Sequence, residues 1–232
     1  MVKNPILVAL DLPTAEAAVR LAKAVEPYVG GFKIGLGLLH GPGPATVSAL
    51  ADLGRPVFAD AKLHDIPSQV ERAARQLGRV GARWVTAHVG GGRAMLEAAV
   101  SGLRDAAPAG GILGVTVLTS LDDAALAAVG ITASPGKLVS RMARVAASAG
   151  CEGIVCSPKE IGVVADVAPG LVKVIPGIRP AGSTDDDQRR VASPEDAMAR
   201  GADYLVVGRP ITRAEDPVAS AAAIAAGLGL AR

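Results

Sequence analysis

The sequence predicts a (β/α)8 barrel, in which eight parallel strands alternate with helices and close on themselves. Eight short runs rich in β-branched residues recur along the 232 residues, with alanine-rich stretches of helical periodicity between them. The runs are apolar on both faces, which is typical of parallel strands that helices cover. The predicted strands span residues 6–10, 32–35, 57–62, 84–88, 112–118, 153–156, 172–175 and 204–207.

The segments between these strands carry helix signals. Apolar residues recur at i, i+3, i+4 and i+7 from Ala18 to Val25, and Thr14 before them is a candidate N-cap. Ser-Pro pairs followed by acidic residues mark two later helix starts, at 157–160 and 193–196. The longest connection, between the fifth and sixth strands, predicts two helices at about residues 122–129 and 136–149.

The competing α/β fold is the doubly wound open sheet. Its dinucleotide-binding version needs a G-x-G-x-x-G motif directly after the first strand, whereas this chain continues with Leu10-Asp11-Leu12-Pro13. No linker rich in proline, glycine or serine divides the sequence into two halves. We therefore expect a single barrel domain over residues 1–232.

The composition excludes several classes of protein. Half of the residues are hydrophobic and only 20% are charged, which excludes a disordered chain. The 24 basic and 22 acidic residues are spread along the sequence, so we expect no nucleic-acid partner. No apolar run approaches the roughly 18 residues of a membrane span, so we expect no membrane partner either. Cys151 and Cys156 have no zinc-ligand set nearby and are interpreted as buried thiols, which suits a cytoplasmic location.

Charged residues lie where the first three predicted strands end, and a (β/α)8 barrel carries its active site at those ends. These residues are Asp11, Lys33, Asp60, Lys62 and Asp65. Side chains at i and i+2 share one face of a strand, so Asp60 and Lys62 should both point into the barrel together with Phe58. Carboxylates beside a lysine favour its ammonium form, which suits Lys62 to donate a proton to a carbanion.

A structural cluster of ion pairs that closes the barrel is the alternative interpretation of these charges. Burying several charges is costly unless each is well paired, so a purely structural role would be better filled by apolar side chains. Because the charges come as a set, we favour the functional interpretation.

Two loops on the other side of the predicted barrel are typical of phosphate binding. They follow the seventh and eighth strands at residues 175–179 and 207–210, and they contain glycines together with Arg179 and Arg209. The polar, aperiodic segment 181–190 indicates a lid over the phosphate. The alternative is that both arginines are solvated surface residues. His64 and His88 lack a serine or cysteine partner, so we expect structural or supporting roles for them.

The segment at residues 58–67 resembles the signature of the orotidine 5'-monophosphate decarboxylase family, in which Asp-x-Lys-x-x-Asp ends the third strand. Further segments at 9–11, 33–35, 117–120, 176–179 and 207–210, together with Gln188, resemble family segments in the same order. Each motif alone is weak, but the ordered set is specific and covers essentially the whole chain.

The resemblance implies decarboxylation of orotidine monophosphate (OMP) to uridine monophosphate (UMP), the final step of de novo pyrimidine synthesis, with no cofactor and no metal. It also implies that the working unit is a homodimer, in which Asp65 reaches into the neighbouring subunit's site, and that Lys62 is the proton donor. The remaining implied roles are ribose binding by Asp11 and Lys33, proximity of Asp60 to the substrate carboxylate, a pyrimidine contact from Thr119 or Ser120, phosphate binding by Arg179, Gln188, Gly208 and Arg209, and substrate contacts from Ile66 and Pro176.

Two rival functions fit parts of the same pattern. Relatives that decarboxylate 3-keto-gulonate 6-phosphate, or join formaldehyde to a pentulose phosphate, use Mg²⁺ and need an acidic ligand on the second strand, where this chain has Lys33. A non-catalytic protein that binds UMP would use the same phosphate loops.

Overall fold

A computed structural model of the chain describes residues 4–180 and 191–230. It confirms the (β/α)8 barrel: eight parallel strands pair in sequence order, and β1 also pairs with β8, which closes the sheet. All eight predicted strands are present. They are β1 (Ile6–Ala9), β2 (Gly31–Ile34), β3 (Val57–Leu63), β4 (Ala82–His88), β5 (Gly111–Val115), β6 (Gly153–Val155), β7 (Val172–Ile175) and β8 (Tyr204–Val207).

Helices connect the strands, and the predicted capping residues begin several of them. Thr14 accepts a hydrogen bond from the Ala17 N–H, and Ser193 accepts one from the Asp196 N–H. The two helices expected between β5 and β6 are both found. The α-helices are α1 (Ala15–Val25), α2 (Leu36–His40), α3 (Ala45–Ala51), α4 (Pro67–Arg79), α5 (Gly92–Ala106), α6 (Asp123–Ala128), α7 (Pro135–Ser148), α8 (Ile161–Val167), α9 (Pro194–Ala199), α10 (Arg209–Thr212) and α11 (Pro217–Gly227).

The strands separate two apolar cores. The larger core lies between the strands and the surrounding helices, whereas a smaller one fills the barrel interior. Alternation along β1 shows the division, because Ile6 and Val8 belong to the outer core and Leu7 and Ala9 to the inner one. The inner core comprises Leu7, Ala9, Phe58, Trp84, Leu113, Val174, Tyr204 and Val206.

The fifth strand is shorter than the sequence suggested. We expected it to continue to residue 118, but it ends at Val115. Its neighbour β6 ends at Val155, which is paired with Val115, so the chain beyond has no strand to pair with. The residues that follow are released from the ladder and extend over the mouth of the barrel.

The third strand contains an irregularity at the position of greatest chemical interest. Ala59 pairs with Val85 of β4, and the next pair joins Leu63 to Ala87. Three residues of β3 therefore stand opposite one residue of β4, which is a β-bulge. Lys62 within it has a φ of 51°, and it is the only non-glycine residue with a positive φ in the described parts of the chain.

Among residues 4–180 and 191–230, the structure contains no helix that is both long enough and apolar enough to cross a membrane.

Candidate active site

A cavity of about 430 Å³ opens at the C-terminal ends of the strands. Charged residues from β1, β2 and β3 line one end, and the loops after β7 and β8 line the other. Apolar side chains such as Val155 and Val206 also line the cavity. This is the location that the fold predicts for an active site, and its size is that of a small-molecule site.

Four side chains of alternating charge form a continuous array at one end of the cavity. The Lys33 ammonium contacts Asp11 at 3.1 Å and Asp60 at 3.7 Å, and the Lys62 ammonium contacts Asp60 at 2.5 Å. Lys33 is almost completely buried, whereas the side chain of Asp11 is 60% exposed at the outer end of the array. Asp60 and Lys62 both point into the cavity, as predicted. They lie in the β3 bulge and not in a regular stretch of strand.

Asp60 is the centre of this array, and its environment favours the ionised carboxylate. Burial is the largest single influence and would raise the pKa of Asp60. The charges of Lys33 and Lys62, with hydrogen bonds from Lys62 and Thr86, outweigh burial and hold that pKa below its ordinary value. The array therefore presents a fixed negative charge beside the Lys62 ammonium.

Thr86 is a buried neighbour of the array that the sequence did not single out. Its hydroxyl donates to Asp60 Oδ1 at 2.9 Å and accepts from the backbone N–H of Lys62 at 2.8 Å. It lies two residues after the inward-facing Trp84 on β4, so strand alternation places it on the same face. Period-two alternation in β4 is the signal that could have found it.

The opposite end of the cavity carries arginines and glycines. Pro176, Gly177 and Arg179 line it from the loop after β7, and Gly208 and Arg209 line it from the loop after β8. Gly177 has a φ of 76°, a conformation that a side chain would disfavour. The arginines predicted from the sequence thus border one cavity with the charged array and are not isolated surface residues.

Two further residues at this end escaped the sequence analysis. Thr212 and Arg213 also line the cavity, just after the arginine loop that follows β8. The sequence signal was present, because both follow the loop within one helical turn. Together with Arg179 and Arg209, Arg213 makes this end of the cavity rich in guanidinium groups, which suit an anion.

The side wall between the two ends of the cavity contains only one of the two candidates for the pyrimidine contact. Thr119 lines the cavity, whereas Ser120 is not among its lining residues. Leu118 and Cys156 also line this wall and were not predicted. Gln188, together with the whole predicted lid at 181–190, lies outside the described residues.

The family of the chain follows from its match to known proteins. The sequence matches the model of the Orotidine 5'-phosphate decarboxylase / HUMPS family over residues 4–224. This chain belongs to that family. The enzyme named orotidine 5'-phosphate decarboxylase in Anaeromyxobacter sp. (strain K) is 55% identical over 224 residues, which cover 96% of this chain and 97% of the relative. The one in Moorella thermoacetica is 48% identical over 231 residues, with coverages of 97% and 92%.

Solved structures of the orotidine 5'-phosphate decarboxylase family agree with this assignment. The crystal structure of orotidine 5'-phosphate decarboxylase from Lactobacillus acidophilus superposes with a TM-score of 0.83 at 33% identity, covering 95% of this chain and 97% of that one. The structure from Pyrococcus horikoshii OT3 gives 0.76 at 29% identity, with coverages of 95% and 97%.

In this family member, two predicted site residues do not line the cavity of their own chain. Asp65 and Ile66 are exposed beside the array, just before α4, and Ile66 is 63% exposed. The Asp65 carboxylate accepts a hydrogen bond from the Ile66 N–H at 2.6 Å. Neither residue is among those that line the cavity together with Lys62 in the same chain.

The two histidines near the array pack against each other. The rings of His64 and His88 lie 5.3 Å apart between their centroids. Burial is the main cause that lowers the pKa of His88, and repulsion from His64 and Lys62 acts in the same direction. Neither ring lines the cavity, which agrees with the supporting roles expected from the sequence.

Proposed function

We propose that this chain decarboxylates OMP to UMP and carbon dioxide, the final step of de novo UMP synthesis, with Lys62 as the proton donor. The observation that carries the proposal is a single cavity with the Asp11–Lys33–Asp60–Lys62 array at one end and an arginine-rich anion site at the other. Full-length relatives at 45–55% identity that carry the name orotidine 5'-phosphate decarboxylase support the substrate. The enzyme is a carboxy-lyase.

The reaction sets a demand that the array meets. When the bond from C6 to the carboxyl carbon breaks, its electron pair stays on C6 in the plane of the pyrimidine ring and cannot delocalise into the carbonyl groups. The developing anion needs a cation nearby, and the Lys62 ammonium supplies one. Lys62 then transfers its proton to C6, which forms the C–H bond of UMP and leaves a neutral amine.

Asp60 contributes in two ways. Its carboxylate contacts the Lys62 ammonium at 2.5 Å and so fixes the position of the proton donor. It also places a negative charge beside the substrate carboxylate, and two like charges about 4 Å apart at an effective dielectric constant near 20 repel by roughly 4 kcal/mol. The repulsion ends when carbon dioxide leaves, so it favours the transition state over the bound substrate.

Binding groups far from C6 hold the nucleotide in place. Arg179, Arg209 and the glycine-containing loops are suited to the phosphate, because guanidinium groups and backbone N–H groups bind its oxygens in paired geometry. We assign the ribose hydroxyls to Asp11 and Lys33 and the pyrimidine to Thr119. Gln188, Ile66 and Pro176 keep the binding roles that the family resemblance implies.

The Mg²⁺-dependent rival is disfavoured by the donor set. Lys33 occupies the position on β2 where that chemistry needs an acidic ligand, and its ammonium lies against Asp11 and Asp60. A cation is thus already built into the site between the two carboxylates that would otherwise be available to a metal. We accordingly assign neither a metal nor a cofactor to the reaction.

The test is incubation of the purified protein with OMP while carbon dioxide release is followed, with and without a chelator. We expect release that the chelator does not change. Inhibition by the chelator that Mg²⁺ restores would favour the metal-dependent rival. Binding of UMP without release of carbon dioxide from OMP would favour a non-catalytic nucleotide-binding protein.

The proposal includes a homodimer, because Asp65 and Ile66 are exposed next to the array but absent from the cavity of their own chain. In the dimer, Asp65 would approach Lys62 of the neighbouring subunit. We also propose the cytoplasm as the location, since Cys151 and Cys156 are both buried thiols that a reducing compartment would preserve.

Hybrid dimers test the shared site. Asp65→Ala and Lys62→Ala proteins should each be inactive as homodimers, since each lacks one half of the site. A mixture that exchanges subunits should recover up to about a quarter of wild-type activity, because one of the two sites in a hybrid dimer is intact. No recovery after subunit exchange has been verified by mass spectrometry would rule out a shared site.

A further inference from the structure

Lys62 occupies a backbone conformation that its residue type disfavours. At its φ of 51° the side chain of a non-glycine residue is crowded against the backbone, and such a conformation persists only where neighbouring groups hold it. Lys62 also lies in the β3 bulge, between the pairs Ala59–Val85 and Leu63–Ala87, so it has no partner in the regular pairing of β3 with β4. Some other group must hold the Lys62 backbone in place.

That group is Thr86, the single residue of β4 that faces the bulge. Its side chain is completely buried, and its hydroxyl accepts the Lys62 N–H at 2.8 Å. The side chain thus takes the place of the missing ladder carbonyl. Without it, a partly buried N–H would lack this partner in a segment already held in a disfavoured conformation.

The same hydroxyl fixes the catalytic carboxylate. A threonine hydroxyl has one proton to donate, and a backbone N–H cannot accept it, so the proton goes to Asp60 Oδ1 at 2.9 Å. Asp60 Oδ1 also receives the Lys62 ammonium at 2.5 Å. One hydroxyl therefore connects the backbone of the proton donor to the carboxylate that holds its ammonium group.

We propose that Thr86 is a positioning residue for decarboxylation: its hydroxyl holds the Lys62 backbone in the left-handed conformation and orients Asp60 toward the Lys62 ammonium. The inference rests on the proposed function, because it assigns Lys62 and Asp60 to the reacting carbon. It explains why a threonine stands at this inward position, although Trp84 on the same strand and Leu113, its partner on β5, belong to the apolar inner core.

Substitution with valine removes the hydroxyl and keeps the branched shape. We expect Thr86→Val to lower kcat by about 10–100-fold, since it removes a hydrogen bond to a charged group and leaves the Lys62 N–H without this partner. KM for OMP should change less than about threefold, because the phosphate and ribose contacts lie elsewhere in the cavity. Thr86→Ser retains both hydrogen bonds and should restore kcat to within about threefold of wild type.

Thr116 offers a matched control. It is another buried threonine near the barrel mouth, and its hydroxyl donates to the Val155 carbonyl at 2.8 Å instead of to a member of the array. Thr116→Val removes one buried hydrogen bond of similar length, so it should lower the melting temperature but leave kcat within about threefold of wild type. If Thr86→Val does not fold, Thr86→Ala and Thr86→Ser repeat the comparison, since both lack the methyl group and differ in the hydroxyl.

A crystal structure of Thr86→Val supplies a readout that does not depend on turnover. We expect a changed φ at Lys62 and a longer separation between the Lys62 ammonium and Asp60. Wild-type kcat in Thr86→Val, equal losses in the valine and serine variants, or an unchanged β3 bulge in the crystal would each overturn the proposal. Absence of carbon dioxide release from the wild-type protein would instead overturn the proposed function, and the crystal structure would still decide the role of Thr86.

Discussion

The two ends of the barrel both carry charged side chains, but they use them differently. At the N-terminal end, which we call the floor of the barrel, Glu152 accepts hydrogen bonds from both terminal nitrogens of Arg83, at 2.8 and 2.7 Å, and from the Trp84 indole at 2.9 Å. Trp84 in turn packs edge-on against Tyr204. The Arg83 guanidinium and the Glu152 carboxylate thus pair with each other through two parallel hydrogen bonds.

The C-terminal end is arranged around an opening. Two acidic and two basic side chains form a chain along the cavity wall, from exposed Asp11 to Lys62, with one longer contact of 3.7 Å between Lys33 and Asp60. The pairing of β3 with β4 shifts register near both ends, between Val57 and Phe58 and again between Ala59 and Leu63. Within the described residues, only the shift at the mouth contains a non-glycine residue at positive φ, which is Lys62. Charges at the floor thus satisfy one another, and charges at the mouth remain available to a ligand.

Comparison of the two ends shows when a charged cluster indicates a functional site. An ion pair alone does not, since both ends of this barrel have them and many are structural. Residues in a disfavoured backbone conformation, in an array that faces a cavity, are a sharper indication.

Substitution of Lys62 should affect turnover far more than binding. We expect Lys62→Ala to lower kcat by at least about 10⁴-fold, because it removes both the proton donor and the cation nearest the developing anion. Binding of UMP, measured by calorimetry, should persist because the phosphate end is unaltered. Activity near the wild-type value would show that the charges at the mouth of the barrel, like those at the floor, have only a structural role.

Substitution at the floor should have the opposite signature. Glu152→Ala leaves Arg83 and the Trp84 indole without their shared acceptor and should lower the free energy of unfolding by about 2 kcal/mol. The value of kcat should remain within about twofold of wild type. Glu152→Gln keeps one acceptor oxygen and should lose less stability in the same urea titration. A large fall in kcat with unchanged stability would contradict the division between floor and mouth.

The smallest expected effect concerns backbone strain at the mouth. Both Lys62→Ala and Lys62→Gly should be inactive, but glycine adopts a φ of 51° without a steric penalty. We expect the glycine variant to be more stable than the alanine variant by about 1 kcal/mol, as measured by urea unfolding. Equal stabilities would indicate that the bulge relaxes once the lysine is removed.

Much of this molecule could be predicted from periodicity and residue type. Runs of β-branched residues between amphipathic stretches predicted all eight strands, and Thr14 and Ser193 were correctly predicted as helix caps. The end of β5 was predicted three residues too late, because the apolar run continues after its partner strand has ended. The length of β5 depended on where its neighbour β6 ends, which the residues of β5 alone do not determine.

The amino-acid sequence by itself determined the barrel, the residue types of the charged array and the two arginine loops, since each depends on local patterns that repeat along the chain. Tertiary structure alone decided how these parts meet: the bulge that turns Lys62 to a positive φ, the hydroxyl of Thr86 opposite it, and the choice of Thr119 over Ser120 at the cavity wall. The bulge and its contact with Thr86 arise from the pairing of β3 with β4, and the position of Thr119 follows from where β5 loses its partner β6. The geometry of such a pairing is set by both strands together.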